Sequence, residues 1–90
     1  MKQVRGETAL VTGGASGIGL GIARALAKAG ARVAICDIDL PRAEAAAAEL
    51  SASGADTMAI ALDVTKEDDW QQAAEKRRAH FGDVTILCNN

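Results

Sequence analysis

Residues 10–21 read Leu-Val-Thr-Gly-Gly-Ala-Ser-Gly-Ile-Gly-Leu-Gly. An apolar stretch breaks into a glycine-rich turn, and a helical pattern starts at once. This layout suits a diphosphate. Glycine lets the chain turn tightly and bring its backbone where a Cβ would intrude. The first turn of the following helix points free N–H groups and a positive dipole end at the anion. No Gly-Lys-Ser/Thr follows the turn, which excludes the P-loop of nucleoside-triphosphate enzymes.

The second chemical signal is a carboxylate. Asp37 lies 18 residues after Gly19 and closes the next apolar run. This is about where a dinucleotide site places an acid that accepts hydrogen bonds from the adenosine ribose and repels a 2′-phosphate. The reading is NAD rather than NADP. Arg42, a turn into the following helix, is the nearest opposing signal.

Other reactive groups offer little. The chain has two cysteines, one histidine (His80) and no tyrosine. Cys36 and Cys88 each fall inside a predicted strand. With another strand between them they stand roughly 10 Å apart, too far for a disulfide. Both read as reduced core thiols of a reducing, cytoplasmic compartment. No metal-ligand cluster is present. Trp70 reads as a packing residue, and His80 as a partner of helix carbonyls.

The elements that must position the turn and Asp37 follow from periodicity. Strands are expected at Thr8 to Val11, Arg32 to Cys36, Thr57 to Leu62 and Val84 to Asn89. Helices are expected at about Gly17 to Ala29, from Pro41 to about Leu50, and from an N-cap at Thr65 to Phe81. In the first helix Ile18, Ile22, Leu26 and Ala25/Ala29 form the expected apolar stripe. In the third, Thr65 and Asp68 imitate a capping box, and Trp70, Ala73/Ala74, Arg77 and Phe81 follow at helical spacing. Gly30, Gly54 and Gly82 mark the helix ends. Alternating strands and helices give an α/β fold with a parallel sheet. Right-handed crossovers in a doubly wound, Rossmann-type arrangement give strand order 3-2-1-4. The first two helices then cover one face and the third covers the other. The fourth strand stays an open edge, so the doubly wound sheet is incomplete.

Ninety residues allow one small domain. A net charge of −2 with interspersed signs argues against a nucleic-acid partner. No apolar run approaches a membrane span, and the N-terminus has no signal-peptide core.

The spacing Thr12-Gly13-x-x-x-Gly17-x-Gly19 resembles the signature of the short-chain dehydrogenase/reductase family. Asp37, Asp63-Val64 and Asn89-Asn90 resemble the family's later motifs in order, the last as the first half of Asn-Asn-Ala-Gly. The resemblance implies a turn-stabilising role for Thr12, the sharp strand exit at Gly13, close diphosphate approach at Gly17, and close helix–strand packing at Gly19. Ser16 and Ile18 are implied as phosphate donors. Neither Ser16 nor Ile38 is basic, where a basic residue would suit NADP in this family. Asp63 and Val64 are implied at the adenine, and Asn89 and Asn90 beside the nucleoside.

The implied function is the cofactor-binding half of an NAD-dependent oxidoreductase that moves hydride between nicotinamide and an alcohol or ketone, in a homo-oligomeric complete protein. The family's catalytic serine and Tyr-x-x-x-Lys have no counterpart here, so the ninety residues alone are expected to be inactive. A non-catalytic dinucleotide-binding module and a non-functional truncated remnant are the alternatives.

Overall fold

The computed structural model describes residues 5–63, 65–81 and 86–89. Seven elements alternate along the chain: β1 (Thr8–Thr12), α1 (Gly17–Lys28), β2 (Arg32–Asp37), α2 (Leu40–Ala52), β3 (Thr57–Ala61), α3 (Glu67–Phe81) and β4 (Ile86–Asn89). The strands form one parallel sheet in the order β3-β2-β1-β4. Fold class and strand order agree with the sequence reading. The expected starts of the fourth strand at Val84 and of the stop at Gly82 lie outside the described residues.

β1 is buried along its whole length and β2 through its centre, as strands covered on both faces must be. Side chains alternate between two cores. One holds Val11, Val33 and Ile35 against α1 and α2. The other holds Leu10, Ala34, Cys36 and Ile60 against Ala73 of α3, with Trp70 packed at its margin.

Small residues let the helices lie close to the sheet. In α2, Ala43, Ala46, Ala47 and Leu50 are buried, the i, i+3, i+4, i+7 stripe of an amphipathic helix. Ala45 and Ala48 of the same tract face outward. Asp39 caps α2, its Oδ1 accepting from the Arg42 N–H at 3.2 Å. At the other end the Gly54 N–H donates to the Ser51 carbonyl and the Ala55 N–H to that of Leu50, the paired bonds of a Schellman motif. An ion pair joins the two helices on the surface, Arg24 Nε to Glu49 Oε2 at 2.7 Å.

Two local expectations need correction. The stripe expected on α1 holds only in part: Ile22 and Leu26 pack half-buried against the core, while Gly19 and Ala23 are the fully buried positions. Ile18 is 76% exposed, and Ala25 and Ala29 are exposed as well. Nearly every residue of α1 is apolar or glycine, so periodicity alone does not select a face. Close approach to the sheet selects the smallest side chains. Thr65 is not the N-cap of α3, which starts at Glu67. The Lys66 carbonyl accepts the first helical bond from Trp70 N–H at 3.4 Å. The Thr65 hydroxyl instead donates to the charged Oδ1 of Asp63 at 2.6 Å.

Candidate functional site

Strand register gathers the singled-out residues at one edge. Thr12 pairs with Cys36 on one side and Asn89 on the other. Asp37, one step further, pairs with Ala61. The glycine turn, Asp37, Asp63 and the end of β4 therefore all lie at the C-terminal edge of the sheet. β1 stands between β2 and β4 there, so the chain leaves β1 in both directions, which is the topological switch point where open α/β sheets carry ligands.

The turn is built by backbone conformation. Gly13 has φ 62° and Gly17 φ 59°, left-handed values that other residues adopt at a cost. Nothing lies within 4 Å of where a Cβ on Gly17 would stand, so that position faces open space. Gly14 is the opposite case. A Cβ there would meet the Val11 carbonyl oxygen at 3.0 Å and Ile35 Cγ2 at 3.1 Å, while its N–H donates to the Cys36 carbonyl at 3.2 Å. Gly14 locks the turn onto the end of β2. Sequence reasoning passed over it because the family spacing counts only Gly13, Gly17 and Gly19; the adjacent glycine pair was the available signal. Gly19 is buried on the face of α1 toward the sheet.

The start of α1 differs from the start of α2. Ser16 has an extended backbone at the N-cap, yet its side chain makes no capping bond, and the first turn holds no acidic residue. The early N–H groups of a helix need a partner from outside it. Here they point from a glycine turn toward the crevice.

Around this opening the side chains are held individually. The Thr12 hydroxyl donates to the Cys88 carbonyl at 3.3 Å, tying β1 to β4. Asp37 Oδ1 accepts from the Asp39 N–H at 3.1 Å. Asp63 Oδ1 accepts from both the N–H (3.0 Å) and the hydroxyl (2.6 Å) of Thr65. Those bonds, with some help from Lys66, hold the Asp63 carboxyl below its ordinary range. Beneath the edge, burial and then the Asp37 charge push the Cys36 thiol up to about 12. Ile18 and Ile38 are exposed at 76% and 73%, one from the turn and one just past Asp37. Val64 and Asn90 lie outside the described residues, as does the side chain of Asn89.

A cavity of about 720 Å³ lies at the other edge of the sheet, between the C-terminal ends of α1 and α2, lined by Arg24, Lys28, Arg32, Glu49 and Asp56 among others. It shares no residue with the glycine turn. Among the described residues no helix is long and apolar enough to cross a membrane.

An open parallel α/β sheet with an uncapped glycine turn at its switch point defines a nucleotide-binding class of fold. The profile of the short chain dehydrogenase family matches residues 7–90, and the chain belongs to that family. It is 40% identical over 87 residues to the 2,5-dichloro-2,5-cyclohexadiene-1,4-diol dehydrogenase of Sphingobium indicum, covering 97% of this chain and 35% of that protein. Among solved structures it superposes on a hydroxysteroid dehydrogenase from Escherichia coli with a TM-score of 0.94 at 34% identity, over 98% of this chain and 37% of the other. A short chain dehydrogenase/reductase from Burkholderia phymatum in complex with NAD gives a TM-score of 0.92 at 29% identity, over 97% and 31% of the two chains. The chain spans about a third of the length of the curated relatives it matches.

Proposed function

We propose that the chain binds NAD along the C-terminal edge of its sheet, as the cofactor-binding part of an oxidoreductase that moves hydride between nicotinamide and an alcohol or ketone. The observation that carries this reading is the uncapped N-terminus of α1, opening from Gly13–Gly17 beside the carboxylate of Asp37. An anion there completes the hydrogen bonding of the helix and meets its positive end. The solved relative in complex with NAD supports a dinucleotide as that anion.

On this reading Ser16, Gly17 and Ile18 meet the diphosphate, Gly13 turns the chain away from it, and Gly19 brings α1 close to the sheet. Thr12 braces the floor through Cys88. Asp37 takes the ribose hydroxyls, with Ile38 beside it. Asp63 and Val64 meet the adenine, and Asn89 and Asn90 the nucleoside. The apolar side chains of Ile18 and Ile38 give the dinucleotide nonpolar walls, since pockets combine such surface with a few placed polar groups. A carboxylate at Asp37 favours NAD over NADP by repelling a 2′-phosphate. When bound, the nicotinamide supplies the hydride donor or acceptor. This chain's part is to hold and orient it.

Calorimetric titration with NAD, NADP and ATP tests the proposal. Saturable NAD binding, weaker NADP binding and loss of both in Gly17→Val are expected. Failure of the wild-type chain to bind NAD would overturn the assignment.

A further inference from the structure

Asp63 is held by three hydrogen bonds from one short stretch of chain. Its own N–H donates to Oδ2 of Asp69 at 2.9 Å, from the first turn of α3. Its Oδ1 receives the N–H of Thr65 at 3.0 Å and the hydroxyl of Thr65 at 2.6 Å. Both acceptor directions of Oδ1 are thereby engaged. Oδ2 accepts no hydrogen bond among the described residues, and an ionised carboxylate has only acceptors to offer.

Resting on the reading that the chain binds NAD with Asp63 at the base, we infer that Thr65 and Asp69 are positioning residues that aim the remaining carboxylate oxygen of Asp63 and so select a base bearing an exocyclic amine. The amino group of adenine donates to such an oxygen. Hypoxanthine carries a carbonyl at the same position, which cannot donate and is repelled by the negative charge. Without the Thr65 hydroxyl, Oδ1 keeps only the main-chain N–H of residue 65, and the aim of the carboxylate is loosened even though its charge remains. Asp69 acts one step further back, by fixing the main chain from which Asp63 projects. The bonds from Thr65 also hold the carboxyl below its ordinary range, so its acceptor character extends further into acid.

The experiment compares NAD with nicotinamide hypoxanthine dinucleotide on the wild-type chain and on Thr65→Val, Thr65→Ser and Asp69→Ala, with circular dichroism of each. The wild type is expected to favour NAD by about tenfold or more, as a hydrogen bond to a charged acceptor provides. Thr65→Val should reduce that preference to within about threefold, which leaves less than half of such a bond's contribution. Thr65→Ser, which keeps the hydroxyl, should restore it. A structural role alone would weaken both dinucleotides equally and leave their ratio unchanged. NAD binding by the wild type with an undiminished preference in folded Thr65→Val overturns the inference and leaves the NAD assignment standing. Where Thr65→Val does not fold, Asp69→Ala decides by the same ratio. A wild type that binds neither dinucleotide overturns both.

Discussion

The main-chain N–H of Asp39 donates to Oδ1 of Asp37 at 3.1 Å, and the side chain of Asp39 in turn caps α2. The carboxylate at the end of β2 is thus anchored to the start of a helix, and its second oxygen accepts no hydrogen bond among the described residues.

Replacing Asp37 with alanine is expected to weaken NAD and relax discrimination against NADP. A hydrogen bond to a charged group contributes about 1.5–3 kcal/mol, so the ratio of NADP to NAD dissociation constants should fall at least about tenfold. Parallel titrations read that ratio. An unchanged value would remove Asp37 from the site.

Gly17→Val is expected to abolish dinucleotide binding while leaving helix content nearly intact. The left-handed backbone at this position costs an ordinary residue about 1–2 kcal/mol, and branching at Cβ adds to that. A side chain there also enters the open space on the ligand side of the turn. Gly17→Ala should be the milder change in both respects. Circular dichroism beside an NAD titration checks this; a folded valine variant with normal affinity would refute the role of the turn.

Cys36 is expected to resist thiol reagents in the folded chain at neutral pH and to react once urea unfolds it. Its folded value lies at about 12, whereas an unfolded cysteine ionises near 8.5. Between those values only the unfolded state gives up the proton, so this thiol leaves stability intact below about pH 8 and erodes it as pH rises further. Urea midpoints at pH 7 and pH 10 should therefore differ more for the wild type than for Cys36→Ala. Equal differences would mean that the thiol is not buried as described.

Leu87 is 59% exposed, whereas Leu10, its register partner on the same face, is only 5% exposed. β4 lies at the edge of the sheet, bonded to β1 alone, and exposed apolar edges template association. The chain is expected to self-associate as its concentration rises, and Leu87→Lys to suppress this. Sedimentation velocity distinguishes the outcomes. Identical behaviour of the two chains would place the sticky surface elsewhere.

The architecture was legible in the sequence because its determinants are local and repeated. Apolar runs of strand length alternate with helical patterns, and the handedness of crossovers fixes the strand order. The glycine turn could be read for the same reason. The exact buried positions of α1 could not, since apart from Arg24 and Lys28 its residues are all apolar or glycine and the choice among them belongs to the sheet beneath. The hydroxyl of Thr65 has two roles open to it, accepting from the N–H groups of a helix start or donating to the Asp63 carboxylate, and sequence alone does not rank them. The Arg24–Glu49 pair joins residues 25 apart in sequence through a geometry that appears only once both helices are docked.

The parallel register has a consequence for assembly. Gly13, Asp37, Asp63 and Asn89 come from four strand ends that no hairpin could bring together, because each parallel pairing requires a complete crossover. Until β4 docks beside β1, one wall of this edge is missing. On the reading proposed above, a dinucleotide that touches all four strand ends favours the finished sheet. By mass action it would add about 2.7 kcal/mol of stability at a hundred times its dissociation constant. Cofactor supply in the cell would then govern how long the chain survives proteolysis as well as what it can bind.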